Sequence, residues 1–171
     1  MARGRLYKVS TFDTSTWTPT GAANAGTTAL PVLYGVTTAT ADLSLSDIAV
    51  GVMGVGTIPS NASVTWSLNI VTGTVAGGQT ASPQQQSGVV LASNTTWKTA
   101  GGASAAAITG LTQGAALWDR VTPFAAGANW EDVETYGDEI YIPVSTKFAF
   151  YVTPTSAGTS TTFFVSCSYS E

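Results

Sequence analysis

The stretch that decides the fold is KFAFYVT at 147–153, which is followed, after PTSAGTS, by TTFFVSCSY at 161–169. In both runs apolar side chains occupy every second position: Phe148, Phe150, Val152, Phe163, Val165, Cys167 and Tyr169. A period of two is typical of β-strands that bury one face. Because the residues between the runs are turn formers, the sequence predicts that these two strands form a hairpin.

The alternation recurs upstream in SVTWSLNIV at 63–71, where Val64, Trp66, Leu68 and Ile70 share one face. Weaker patterns predict strands at 30–40, 48–55, 88–91, 106–111 and 139–143. Helix signals are few, although Asp42 or Ser44 could cap one helical turn. Strand-sized segments that recur between Gly, Pro, Asn and Ser predict an all-β antiparallel sandwich, and the length favours a jelly roll over an immunoglobulin-type domain.

Three segments are less regular. Residues 1–29 hold few core-forming side chains and are predicted to form an extended arm, which leaves 30–171 as a single sandwich domain. Segments 73–87 and 98–107 are rich in Gly, Ala, Ser and Thr and are predicted to be long loops. If the arm makes contacts between subunits, its deletion should release the protein from its assembly and leave the β domain folded.

Composition excludes several chemistries. The 171 residues include 6 Lys and Arg, 10 Asp and Glu, one Cys and no His. Without His, no His-based triad or acid–base scheme operates. One Cys allows no internal disulfide, zinc cluster or iron–sulfur site, and Cys167 is predicted to be a small buried hydrophobe. A net charge of −4 argues against a nucleic-acid binder, and the sequence predicts no enzyme.

The compartment is predicted from what the sequence lacks. The basic start is not followed by an apolar run of signal-peptide length, and no stretch is long enough for a membrane helix. These features predict synthesis in a cytoplasm without a signal peptide and no membrane partner.

Two groups of side chains are candidate interface residues. Arg3, Arg5 and Lys8 are three of the six basic residues and could dock on an acidic neighbour. The tryptophans in polar contexts could anchor a protein interface or stack on a sugar ring; they are Trp17, Trp97 and Trp130.

The acidic residues are also clustered. Half of them lie in nine positions: Glu131, Asp132, Glu134, Asp138 and Glu139. A solvated or interface loop is the leading interpretation. Ca²⁺ is the one cofactor that such a loop could hold, although the spacing is not that of an EF-hand, and a catalytic carboxylate pair is a weaker alternative.

In its amino-acid composition, the chain resembles bacteriophage virion structural proteins, in particular capsid decoration or cement proteins of the head surface. The resemblance lies in the Thr/Ala/Gly-rich chain, the basic start at 3–8 and the closing strands at 148–152 and 163–169. It implies a jelly-roll-like domain on the capsid surface, often a trimer, that binds the major capsid protein. The alternatives are a carbohydrate-binding jelly-roll module of a tail or fibre protein and another tail or connector protein.

Overall fold

The chain folds into two stacked β-sheets. The computed structural model describes residues 6–11, 29–54, 61–86, 92–100, 107–125, 129–133, 139–155 and 162–171. Within these residues there are twelve strands and no helix. Sheet A contains β1 (Leu6–Ser10), β3 (Leu43–Gly54), β6 (Gln84–Gln85), β9 (Asn129–Val133), β10 (Ile140–Ile142) and β12 (Thr162–Ser170). Sheet B contains β2 (Leu30–Val36), β4 (Ser63–Ala76), β5 (Gln79–Ala81), β7 (Thr96–Thr99), β8 (Thr109–Pro123) and β11 (Lys147–Pro154).

The order of the strands is that of a jelly roll. Sheet A runs β10-β3-β12-β1-β6, with β9 also paired to β3, and sheet B runs β5-β7-β2-β11-β4-β8. The chain therefore pairs from its two ends inward: β1 with β12, β2 with β11, β3 with β10 and β4 with β8. Successive pairs alternate between the sheets, which is a long hairpin wrapped around a core. The predicted antiparallel jelly-roll sandwich is confirmed.

The predicted hairpin at the C-terminal end is wrong. Strand β11 lies in sheet B between β2 and β4, whereas β12 lies in sheet A between β3 and β1. Both strands do turn their alternating apolar residues toward the same core. Period-two alternation shows only that one face of a strand is buried, and it does not show which strand pairs with it.

The structure also corrects predictions for three other segments of the chain. Strand β1 lies inside sheet A between β12 and β6, with Tyr7 and Val9 buried, so this part of the predicted arm belongs to the sandwich. Strands β5 and β6 occupy part of the segment predicted to be a loop at 73–87. Residues 43–54 form a strand instead of beginning with a helical turn, because pairing with β12 satisfies their backbone groups. The strand predicted at 88–91 lies outside the described residues.

The core lies between the sheets and is rich in aromatic contacts. Trp66 of sheet B meets Phe163 of sheet A edge-on, with ring centroids 5.7 Å apart. Trp118 packs in the same way on Phe150 at 6.4 Å. Strand β11 is also covered on its outer side, where a second cluster is formed by Tyr34, Val71, Ile108, Ala149 and Tyr151. The central strand of sheet B is therefore buried on both faces.

A close contact across two strands leads to the first prediction. Gly35 pairs with Phe148, and a Cβ at position 35 would strike Cζ of the Phe148 ring. We expect Gly35→Ala to lower the free energy of unfolding by about 1–3 kcal/mol, because the ring must move within a dense core. Urea unfolding measures this loss. In the double variant with Phe148→Leu the two losses should not add, and simple additivity would contradict the contact.

Candidate functional site

Of the predicted interface residues, the structure describes the side chains of Lys8 and Trp97, and only Lys8 is exposed. Lys8 is exposed on β1, but Arg3, Arg5 and Trp17 lie outside the described residues. Trp130 pairs with Val50 in the register of β9 and β3, and its side chain lies outside the description. Trp97 is in the core. Lys8 is thus a surface residue. The interface roles of Lys8, Arg3, Arg5, Trp17 and Trp130 stay predictions.

Trp97 corrects the expectation that a tryptophan in a polar context is exposed. Only 1% of its surface is accessible, and its ring packs edge-on against Phe148 at 5.2 Å. The indole Nε1 donates a hydrogen bond of 3.0 Å to the hydroxyl of Tyr169. Strand β7 is only four residues long, so its alternation is hidden among the neighbouring Ser, Asn and Thr residues. Trp97 therefore joins the two sheets and is unavailable for a sugar or a partner.

A chain of hydrogen bonds continues from Trp97 to the last residue. The Tyr169 hydroxyl donates to Ser93 Oγ at 2.8 Å, and Ser93 Oγ donates to Glu171 Oε1 at 2.8 Å. The Glu171 carboxylate also accepts the backbone N–H groups of Asn94 at 2.7 Å and Thr95 at 2.8 Å. Burial raises the pKa of Tyr169 well above its usual range. These groups are satisfied by one another, so the cluster is structural: it fixes residues 93–95 against the end of β12.

The strands at the two ends of the acidic segment, β9 and β10, lie at one edge of sheet A. Strands β9 and β10 both pair with β3, while β12 occupies the other side of β3 along the same length. Glu134 and Asp138 lie outside the described residues. Among the residues that the structure describes, no three Asp, Glu, His or Cys side chains are grouped as metal ligands. The Ca²⁺ site and the carboxylate pair stay predictions, whereas Cys167 is buried in the core, as predicted for a small hydrophobe.

An exposed aromatic residue on the same edge was not predicted from the sequence. Tyr141 is 56% exposed, and its hydroxyl donates a 2.9 Å hydrogen bond to Asp42 Oδ2. This hydrogen bond is the main reason that the pKa of Tyr141 is raised. Val144 is 44% exposed in the turn that follows. The alternation of Ile140 and Ile142 around Tyr141 was the signal that this side chain points outward.

The turn beside Tyr141 is held in place by Thr37. The hydroxyl of Thr37 donates to the carbonyl of Pro143 at 2.7 Å and accepts the N–H of Thr146 at 2.8 Å. The backbone N–H of Ser145 adds a hydrogen bond of 2.8 Å to the carbonyl of Thr38. Tyr141 and Val144 are therefore presented on a fixed backbone, which lowers the entropy that ordering would cost a binding partner.

Strands β4 and β8 of sheet B extend beyond β11 as a two-stranded ribbon. The ribbon is formed by residues 72–76 of β4 and 109–112 of β8. Strand β11 pairs with β4 only as far as Ile70, so in the described chain these residues pair only with each other. Gly73 and Gly110 have positive φ angles, and a Cβ on either would strike the opposite backbone. Most of the ribbon is exposed and none of it is charged. Two exposed apolar residues, Leu117 and Val121, follow on β8.

Comparisons with known proteins identify no family. No family model matches the chain, and no curated protein matches it. Among solved structures, a mutant VP2 protein of infectious bursal disease virus, in derived T=1 particles, is similar at 16% identity with a TM-score of 0.29. The match covers 98% of this chain and 32% of that one, so this chain spans about a third of the length of VP2. A likeness at this level carries no argument about function. In the described part of the chain, no helix is long and apolar enough to span a membrane.

Proposed function

We propose that the protein is a non-enzymatic structural component of a viral particle, which binds the capsid surface and stabilises the head lattice through repeated contacts between subunits. The composition, which resembles that of phage head-surface proteins, supports this proposal. So does the jelly-roll topology, a fold that viral capsid and lectin domains share. Because one fold hosts many functions, the proposal rests further on a feature of this chain's own surface.

The uncharged ribbon is the observation that carries the proposal. A pair of strands without a third is marginally stable in water, although Val75 and Leu111 pack against the outer cluster of sheet B. The exposed residues of the ribbon are Thr, Gly and Ala, which lose less side-chain entropy on burial than Lys or Glu and carry no charge to desolvate. Such a surface suits permanent contact with neighbours, and many repeated contacts hold a lattice without any single strong one.

Association with particles tests the proposal. The protein is expressed with a tag in cells that produce the particles, and the lysate is fractionated on a density gradient. We expect the protein to sediment with the particles. Thr72→Lys with Thr112→Lys, which pair in the ribbon and are both exposed, should move it to the top of the gradient. Thr80→Lys with Thr96→Lys, at exposed positions of β5 and β7, adds the same charge outside the ribbon; this control should stay with the particles. A wild-type protein found only as a small oligomer would overturn the proposal.

A carbohydrate-binding module of a tail or fibre protein is the second candidate. Lectin domains share the jelly roll, and the exposed ring of Tyr141 could stack on a sugar in place of the buried Trp97. A glycan array on the wild type and on Tyr141→Ala distinguishes this function. Binding to a defined glycan that the variant loses would favour it over the lattice role.

A further inference from the structure

The ribbon lies across the outer side of sheet B. It begins at β4 and β8, which form one edge of the sheet, and its chain continues through Gly78 into β5 at the opposite edge. Gly78 lies against β7, since a Cβ at this position would contact the carbonyl oxygen of Thr99. Val75 and Leu111 of the ribbon pack on the outer cluster, to which β2 and β11 contribute. The ribbon therefore reaches from one edge of sheet B to the other and covers the strands between them.

Little apolar surface holds the ribbon against the sheet. Ile108, at the end of the ribbon next to β7, is buried, but Val75 and Leu111 are only partly buried. In the described chain the two strands of the ribbon pair only with each other, and such a pair is marginally stable in water. Segments with few buried apolar contacts open at a lower free energy than the core does. The ribbon thus belongs to the least stable part of the described fold.

The two ends of the ribbon have the same construction. Each has a glycine with a positive φ, 98° at Gly73 and 69° at Gly77, and glycine can change its backbone angles there at little steric cost. Each glycine also accepts a hydrogen bond from a lysine of sheet B. Lys147 Nζ donates to the carbonyl of Gly73 at 2.6 Å, and Lys98 Nζ donates to the carbonyl of Gly77 at 3.3 Å. Both ends therefore combine a hinge with a polar contact that water can replace.

A buried hydroxyl beneath the ribbon opposes its packing. Tyr151 of β11 is 4% exposed and belongs to the outer cluster together with Ile108. Its hydroxyl oxygen is buried and has no hydrogen-bond partner among the residues that the structure describes. A buried polar group without a partner is costly, and the cost is recovered when water reaches the group. Release of the ribbon would thus expose some apolar surface but would also hydrate this hydroxyl.

We propose that the ribbon opens away from sheet B as a unit while the two sheets stay folded, and that opening brings water to Ile108 and to the hydroxyl of Tyr151. The opening goes beyond the proposed function and does not depend on it. Thr72 and Thr112 have their described positions only in the closed ribbon, so a neighbour that binds them would favour the closed form. That consequence alone rests on the proposed function.

The reactivity of two buried thiols tests the opening within one molecule. Ile108→Cys places a thiol beneath the ribbon, whereas the native Cys167 is buried in the core between the sheets. With an aromatic disulfide reagent, the new thiol should react at least about a hundredfold faster than Cys167, at a rate that hardly changes in dilute urea. Cys167 should react only through global unfolding, at a rate that rises with urea. Equal rates with equal urea dependence would overturn the proposal.

Three substitutions in the Ile108→Cys chain test the causes of opening. Tyr151→Phe removes the unpaired hydroxyl and should slow the reaction of the new thiol by about tenfold. Lys147→Met removes the donor to Gly73 and should speed the reaction severalfold. The matched control is Tyr141→Phe, which makes the same chemical change at an exposed residue of sheet A and should leave the rate unchanged. A rate that Tyr151→Phe does not alter would show that the ribbon does not uncover this hydroxyl, and the proposal would fail.

Amide exchange of the unmodified chain is a second measurement, which does not require Ile108→Cys to fold. The slowest-exchanging amides of the ribbon should exchange about a hundredfold or more faster than those of β11, and with less dependence on urea. Equal protection of the ribbon and β11 would contradict the opening. Both experiments use the isolated protein, so their failure leaves the proposed function standing, and failure to sediment with particles leaves the opening standing.

Discussion

A chain that lacks residues 1–11 is expected not to fold, because the deletion removes β1 from the interior of sheet A. Strand β1 pairs with β12 along its whole length and with β6 on its other side. Tyr7 and Val9 of this strand are buried in the core. The backbone N–H of Thr11 adds a hydrogen bond of 2.9 Å to the carbonyl of Val165. The deletion therefore uncovers one edge of β12 together with part of the core.

Loss of β1 removes a large share of the stability that a small domain has. Burying Tyr7 and Val9 contributes roughly 1.5–3 kcal/mol each, and the ladder with β12 adds to this. The Tyr169 ring, stacked on Tyr7 at 5.4 Å, would be uncovered as well. A domain is stable by only about 5–15 kcal/mol in total. Circular dichroism and urea unfolding measure the result.

The control is the chain without residues 1–5, which keeps all of β1 and should unfold at the same urea concentration as the wild type. Cooperative unfolding of the chain without residues 1–11 at the wild-type midpoint would contradict the prediction. The position of β1 in sheet A thus revises the expectation from the sequence that the whole segment 1–29 can be deleted without loss of the β domain.

Trp97→Ala is expected to lower the free energy of unfolding by about 3–5 kcal/mol, as large-to-small changes at buried aromatic positions do. The substitution leaves a cavity beside Phe148 and Tyr169, whose rings both lie 5.2 Å from the indole. It also takes away the indole N–H that donates to the Tyr169 hydroxyl. Urea unfolding followed by circular dichroism measures the loss without depending on tryptophan fluorescence.

Two further variants separate packing from hydrogen bonding. Trp97→Phe keeps most of the apolar volume but loses the indole N–H, and Tyr169→Phe removes the hydroxyl that accepts it. Each should cost about 1–3 kcal/mol, clearly less than Trp97→Ala. If Trp97→Ala leaves the free energy of unfolding unchanged, the side chain does not lie in the core.

Much of the fold could be predicted from the sequence. The alternation at 63–71, 147–153 and 161–169 predicted strands that the structure contains as β4, β11 and β12. Strand β1 could not be found in this way, because five residues with two apolar positions on one face do not stand out from an irregular segment. Its place depends on pairing with β12, which lies at the other end of the chain.

The candidate surfaces were harder to predict than the strands. Clustered acidic residues were visible in the sequence, but the pairing of β9 and β10 with β3 at the edge of sheet A depends on which strands are neighbours. The burial of Trp97 reversed the expectation drawn from its polar context, and the exposure of Tyr141 was not foreseen. Polar neighbours along the chain do not determine burial, since in a sheet the neighbours in space belong to other strands.

By itself, the sequence determined the class of the fold and the chemistries that are excluded. Alternating apolar residues require strands with one buried face, and a chain without His and with one Cys lacks whole families of catalytic and metal sites. Only the tertiary structure decided that β11 and β12 lie in opposite sheets, that β1 belongs to the sandwich and that Trp97 is buried while Tyr141 is exposed. The reason is physical: alternation is a local property of a strand, whereas strand pairing is a contact between distant segments and is selected by the packing of the complete core.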